Sequence, residues 1–147
     1  VIHQISYVST PAPGLKLASI QAVLARARAR NAAHSVTGFL AYRSDWFLQV
    51  IEGDEAAVRF IFEGIRDSPL HREVAVLSSE SVPSRAFRSF DMGFLSFARA
   101  VDAPPIPFAL APEFTPRALE RSHVVPFVQA IASRTKFTRD LKLATGG

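Results

Sequence analysis

The sequence predicts an α+β domain, a ferredoxin-like βαββαββ sandwich with a C-terminal helical extension. Two observations carry that expectation. Apolar residues recur in the order strand, helix, strand, strand, helix, strand, strand, with period two in the strands and period 3.6 in the helices. A proline-rich stretch then separates this block from a second apolar segment near the C-terminus. Two helices that each leave a sheet and return to it lie on the same face of that sheet, so a ligand site is expected between the helices and the strands.

Each element has a local reason. Residues 2–9 are rich in Ile, Tyr and Val and stop at the turn-forming Thr10-Pro11-Ala12-Pro13-Gly14. From Ser19 to Ala33, Ile20, Val23, Leu24 and Ala27 fall at helical spacing with no proline among them. Val36 to Tyr42 and Trp46 to Ile51 are apolar runs split by Arg43-Ser44-Asp45, which reads as a β-hairpin. Asp54 is placed to cap a helix from Glu55 to Arg66, whose Ala57, Val58, Ile61, Phe62 and Ile65 form one stripe ended by Asp67-Ser68-Pro69. Glu73 to Ser79 and Phe90 to Phe97 complete the strands, with a turn at Pro83.

Residues 1–100 are therefore expected to form the ligand-binding domain, 101–116 a connector and 117–147 the helical extension. Pro104, Pro105, Pro107, Pro112 and Pro116 make the connector semi-rigid. Beyond it, Pro116 to Arg121 and Val124 to Arg134 can form short helices. The apolar face built from Val124, Val125, Phe127, Val128 and Ile131 must dock, either on the uncovered face of the sheet or on a second subunit.

Composition narrows the function. At 147 residues, 48% apolar and 20% charged, the chain can bury a core without staples. It has no cysteine, which removes disulfides, thiolate metal sites and a cysteine nucleophile, and points to a reducing, cytoplasmic setting. No apolar run approaches the roughly 20 residues that cross a bilayer, so no membrane partner is expected. The net charge of +4 gathers at Arg26, Arg28 and Arg30 and from Arg134 to Lys142; without interleaved aromatics, it reads as solvated helix surface rather than a nucleic-acid site.

Enzyme chemistry finds little support. There is no glycine-rich phosphate loop, nucleophile elbow or metal-spaced histidine pair, and His3, His34, His71 and His123 are scattered. Glu52 and Asp54 flank a strand-to-helix turn, where a role near the helix dipole accounts for them. Tyr7 and Gln49 stand out because period two assigns each to a definite strand face. A strand tyrosine is ordinary core material. A glutamine within Phe47-Leu48-Gln49-Val50-Ile51 must place two donors and an acceptor if buried, and on physical grounds a packing role and a functional role are evenly matched.

Tyr7, Arg30-Asn31, Val36-Thr37-Gly38, the run Phe47 to Gly53, then Asp67, His71, Arg85, Phe87, Met92 and Gly93 occur in an order and spacing that resembles the BLUF family of blue-light sensors. The resemblance covers about residues 2–97. It implies a short standalone receptor, not an enzyme, with FAD as the cofactor, FMN as the alternative, and no metal. The flavin ring would lie between the two helices. Tyr7, Gln49 and Met92 would be the photoactive trio, and Tyr7, Arg30, Asn31, Phe47, Gln49, Ile65, Asp67, His71 and Met92 the cofactor-binding residues. Asn31 would meet the carbonyl and N3 edge of the ring, and Arg30 the other carbonyl. Light would move an electron and then a proton from Tyr7, leaving oxidised flavin, a rearranged Gln49 and a small red shift, with Met92 passing the change to the last strand and the tail. Output would require a homo-oligomer or a downstream protein partner.

Three departures from the family pattern matter. Phe90 stands where tryptophan is common, which is expected to alter dark recovery rather than abolish photochemistry. Trp46, three residues before Gln49, reads as a packing residue. Leu70 replaces the arginine used near the flavin phosphates, leaving Arg66 as a candidate substitute. Two other functions fit the architecture: a flavin-free interaction module, and an acylphosphatase-like hydrolase, against which the missing anion loop after the first strand counts.

Overall fold

The structure, a computed structural model, describes residues 1–88, 91–97 and 113–144, with side chains as far as residue 133. The order is β1 (Ile2–Pro11), α1 (Leu17–Ala33), β2 (Thr37–Arg43), β3 (Trp46–Gly53), α2 (Glu55–Arg66), β4 (His71–Val82), β5 (Gly93–Ser96), a 3-10 turn at Pro116–Ala118, and α3 (Arg121–Ala144). The strands form one sheet in the order β4-β1-β3-β2-β5. β1 runs antiparallel to β3 and β4, β2 antiparallel to β3, and β5 parallel to β2. This is the expected split βαβ pair with a fifth strand added beside β2.

Burial of the sheet on both faces explains why its central strand lacks alternation. All eight residues of β3 are buried. One face packs Ile5, Tyr7, Phe47 and Ile51 against Ile20 and Leu24 of α1 and Val58, Ile61 and Phe62 of α2. The opposite face packs Phe39, Leu48, Val50 and Phe87 against Val124, Phe127, Val128 and Ile131 of α3. The apolar tail therefore docks on the face that the first two helices leave open. Trp46 belongs to this second layer, between Phe97 and Phe114, which accounts for it as a packing residue.

Several boundaries differ from the sequence reading. β4 is longer than expected, because antiparallel pairing with β1 extends it from His71 to Val82 through two register shifts. Glu73 adopts φ 51° at one of them, as bulges allow. β5 begins only at Gly93, so Met92 lies in the approach to the strand; Phe90 and most of the proline-rich connector fall outside the described residues. The first tail segment is a single 3-10 turn, and the second is one helix that starts three residues earlier and contains Pro126. Asp54 does occupy the N-cap of α2, but its carbonyl rather than its side chain makes the bond, 2.9 Å from the Val58 amide.

Gly38 on β2 is fixed by close approach. A Cβ there would lie 2.1 Å from the Val50 carbonyl oxygen of β3, so only glycine admits the observed pairing.

Candidate functional site

Register brings the first two singled-out residues together. Tyr7 of β1 sits directly opposite Gln49 of β3, and Leu40 of β2 faces Gln49 on its other side. All three project toward the helices, and Tyr7 and Gln49 are buried. The Tyr7 hydroxyl donates to Gln49 Oε1. Gln49 Nε2 donates to Met92 Sδ at 3.1 Å, which closes the expected trio into a chain. One N–H of that amide remains for a further acceptor. Burial pushes the Tyr7 phenol far above its ordinary pKa, with the Arg30 guanidinium pulling the other way, so Tyr7 holds its proton in the resting state.

A cavity of about 600 Å³ opens between the helices and the sheet. Ile20, Val23, Leu24 and Ala27 of α1 and Gly64 and Ile65 of α2 form two flat apolar walls, and Leu40, Phe47, Gln49 and Met92 form the floor. Arg26 and Arg30 are its cationic wall residues, and the segment Ser68 to His71 closes one side. Tyr7 lies behind Gln49, outside the wall itself. The combination fits a planar aromatic ligand with a polar edge: apolar flanks for the ring faces, and the Gln49 amide and Arg30 guanidinium as donors at one end.

His71 holds its place through Ser9, whose hydroxyl lies 2.7 Å from Nδ1, and through ring contacts with Phe47 and edge-on with Tyr7. Burial lowers its pKa to about 4, so the ring is neutral at physiological pH.

Besides Tyr7, two of the expected cofactor residues are not among those that line the cavity. Asn31 is completely buried, but its Nδ2 donates to the Asp91 carbonyl at 3.0 Å and its Oδ1 accepts from Arg30, so it ties α1 to the approach of β5. Asp67 is the C-cap of α2 and does not line the cavity. The suggested substitute Arg66 also faces away, paired with Glu63 and lying over the Phe62 ring.

Sequence reading missed other contributors. The arginines of α1 are not merely solvated: Arg28 Nε donates to the Met92 carbonyl at 2.8 Å, while Arg26, four residues before the expected Arg30, shares its cavity face. The 26/30 spacing could have signalled this; nothing in the sequence marks Arg28. Glu52 does not serve the α2 terminus. It turns to the opposite sheet face, wholly buried, and accepts from Gln4 Nε2, the Thr37 hydroxyl and the amides of Ala86 and Phe87. Arg85 completes this clamp through Thr37 and the carbonyls of Ser35 and Glu52.

The family model of BLUF, sensors of blue-light using FAD, matches residues 2–93. The chain belongs to the BLUF family. BLUF domains bind a flavin and sense blue light, and this one is 33% identical over 103 residues to photoactivated adenylate cyclase subunit alpha of Euglena gracilis, covering 69% of this chain but 10% of that protein. Over 68 residues it is 32% identical to the blue light- and temperature-regulated antirepressor BluF of Escherichia coli, covering 46% of this chain and 17% of the relative. The chain thus spans a small part of these curated relatives. Among solved structures, the BLUF protein BlrB in its dark state superposes with a TM-score of 0.74 at 26% identity, covering 90% of this chain and 96% of BlrB. BlsA in its photo-activated state gives the same TM-score at 21% identity, which shows the shared fold. No helix among the described residues of this BLUF chain is long and apolar enough to cross a membrane, and no cluster of metal-ligating residues occurs among them.

Proposed function

We propose that this BLUF chain is a blue-light receptor whose signal is a rearranged hydrogen-bond network, with no net chemistry and no catalysis of its own. The observation that carries this reading is the continuous chain from the Tyr7 hydroxyl through the Gln49 amide to Met92 Sδ at the floor of the cavity. A flavin held there supplies light absorption and an excited state able to accept an electron. FAD is the cofactor favoured by the family match. FMN, named in a solved structure of Klebsiella pneumoniae BlrP1, is the alternative.

The protein's part follows from bond directions. Tyr7 is the electron and proton donor: a phenol that loses an electron becomes strongly acidic, and its proton already points at Gln49 Oε1. Gln49 is the relay. Rotating its amide exchanges N–H for C=O, so the bond to Met92 Sδ must break, because a carbonyl oxygen and a thioether sulfur are both acceptors. Conversion to the imidic tautomer likewise redistributes the donors. Met92 then reports the change to β5, its carbonyl held by Arg28. Arg30, Phe47, Ile65 and His71 complete the cofactor contacts. The two-state element is local, and its output passes to a partner protein or a second copy of the chain.

The test is the absorption spectrum of purified protein before and after blue light. A flavin spectrum with a small, reversible red shift is expected, abolished in Tyr7→Phe and Gln49→Leu. Protein that stays colourless after reconstitution with both FAD and FMN would sink the reading, and a normal shift in either variant would remove that residue from the mechanism.

A further inference from the structure

Among the described residues, the cavity wall carries one cation that has neither a hydrogen-bond nor an ionic partner. Arg26 makes no hydrogen bond or ion pair among the described residues, although it lines the cavity. It is exposed, so the guanidinium is available to a ligand reaching the mouth. None of the described residues that line the cavity is acidic. Arg30, the other cation of the wall, already gives Nε and Nη2 to Asn31. Arg26 lies four residues earlier on the same helix, about 6 Å along the axis, on the far side of Arg30 from Asn31 and its bond to Asp91. Across the cavity from α1, Leu70 offers no charge, and Arg66 is paired with Glu63 outside the wall.

An aromatic ligand whose polar edge meets Gln49 and Arg30 can extend its other end along α1 to Arg26, which lines the same cavity. We infer that Arg26 is the phosphate-binding residue of this site, holding the first phosphate of the flavin side chain in place of a cation at Leu70. The assignment rests on the flavin reading and adds to it the residue of this chain that holds the phosphate common to FAD and FMN. Guanidinium suits the task through its fork of donors and permanent charge. FMN and FAD share the phosphate in question, so the residue selects for phosphorylation and not for the adenosine.

The experiment is a fluorescence titration of the protein, with bound flavin removed, against riboflavin, FMN and FAD. FMN and FAD are expected to bind roughly tenfold more tightly than riboflavin, the size of one exposed charge-assisted contact, and the advantage should shrink as salt rises. Arg26→Gln should erase the advantage and leave riboflavin affinity unchanged. Arg26→Lys should keep part of it, and Leu70→Arg added to Arg26→Gln should restore it. Equal weakening of riboflavin and FMN in Arg26→Gln, or no change in either, overturns the phosphate assignment while leaving the flavin reading intact. Failure of the unaltered protein to bind any of the three flavins overturns the flavin reading itself and the assignment with it.

Discussion

Replacing Glu52 by glutamine tests the clamp that fixes the chain ahead of Met92. The two carboxylate oxygens divide four donors: Oε1 takes Gln4 Nε2 at 3.2 Å and the Ala86 amide at 2.9 Å, and Oε2 takes Thr37 Oγ1 at 2.9 Å and the Phe87 amide at 2.7 Å. A glutamine has one acceptor oxygen and one NH2, so one flip of its amide sets donors against the part-buried Ala86 N–H and the other against the buried Phe87 N–H. Leaving either N–H unpaired costs about 1–3 kcal/mol, and the remaining bonds lose their charge assistance. Together these put the destabilisation of Glu52→Gln near 3 kcal/mol. For a chain of this size that is a fall in Tm of about 10 °C, read by circular dichroism in holoprotein. Because Glu52 faces α3 and not the cavity, Glu52→Gln should still bind flavin well below its Tm. A Tm within about 3 °C of the unaltered protein would refute the clamp. Loss of flavin from a fully folded variant would refute the separation of the two faces.

Two further outcomes follow from the same structure. His71 has a folded pKa of about 4 against an ordinary value of 6.5, so the unfolded chain protonates first and stability is lost as pH falls from about 6.5 to about 4. The contribution is at most about 3 kcal/mol, and the difference in Tm between the apo forms of the unaltered protein and His71→Gln should slope through that window and flatten on either side; a flat difference would contradict a neutral, buried His71. Gly38→Ala should fail to give soluble folded protein, since its Cβ would meet the Val50 carbonyl at 2.1 Å in the centre of the sheet, and a Tm within about 2 °C of the unaltered protein would show that β2 and β3 pair differently.

Period-two and helical spacing are local properties, so the order and type of the elements from β1 to β5 were legible in the chain, and Tyr7 and Gln49 could be placed on strand faces. The sequence also pointed to the helix–sheet cleft where the cavity opens, since crossover handedness puts both helices on one side. Residues whose partners are remote in the chain were not legible. Glu52 looked like a residue of a helix terminus, yet its partners lie at positions 4, 37, 86 and 87, joined only by strand pairing and by the loop that returns from β4. Asn31 and Arg28 carry no local sign of their bonds to Asp91 and Met92, some 60 residues away along the chain. The tail's apolar face declared that it would dock, while only the three-dimensional arrangement showed that the sheet's second face supplies the surface. Periodicity fixes which way a side chain points from its own element; what it meets there depends on how distant elements are brought together, and that is settled by register, bulges and packing.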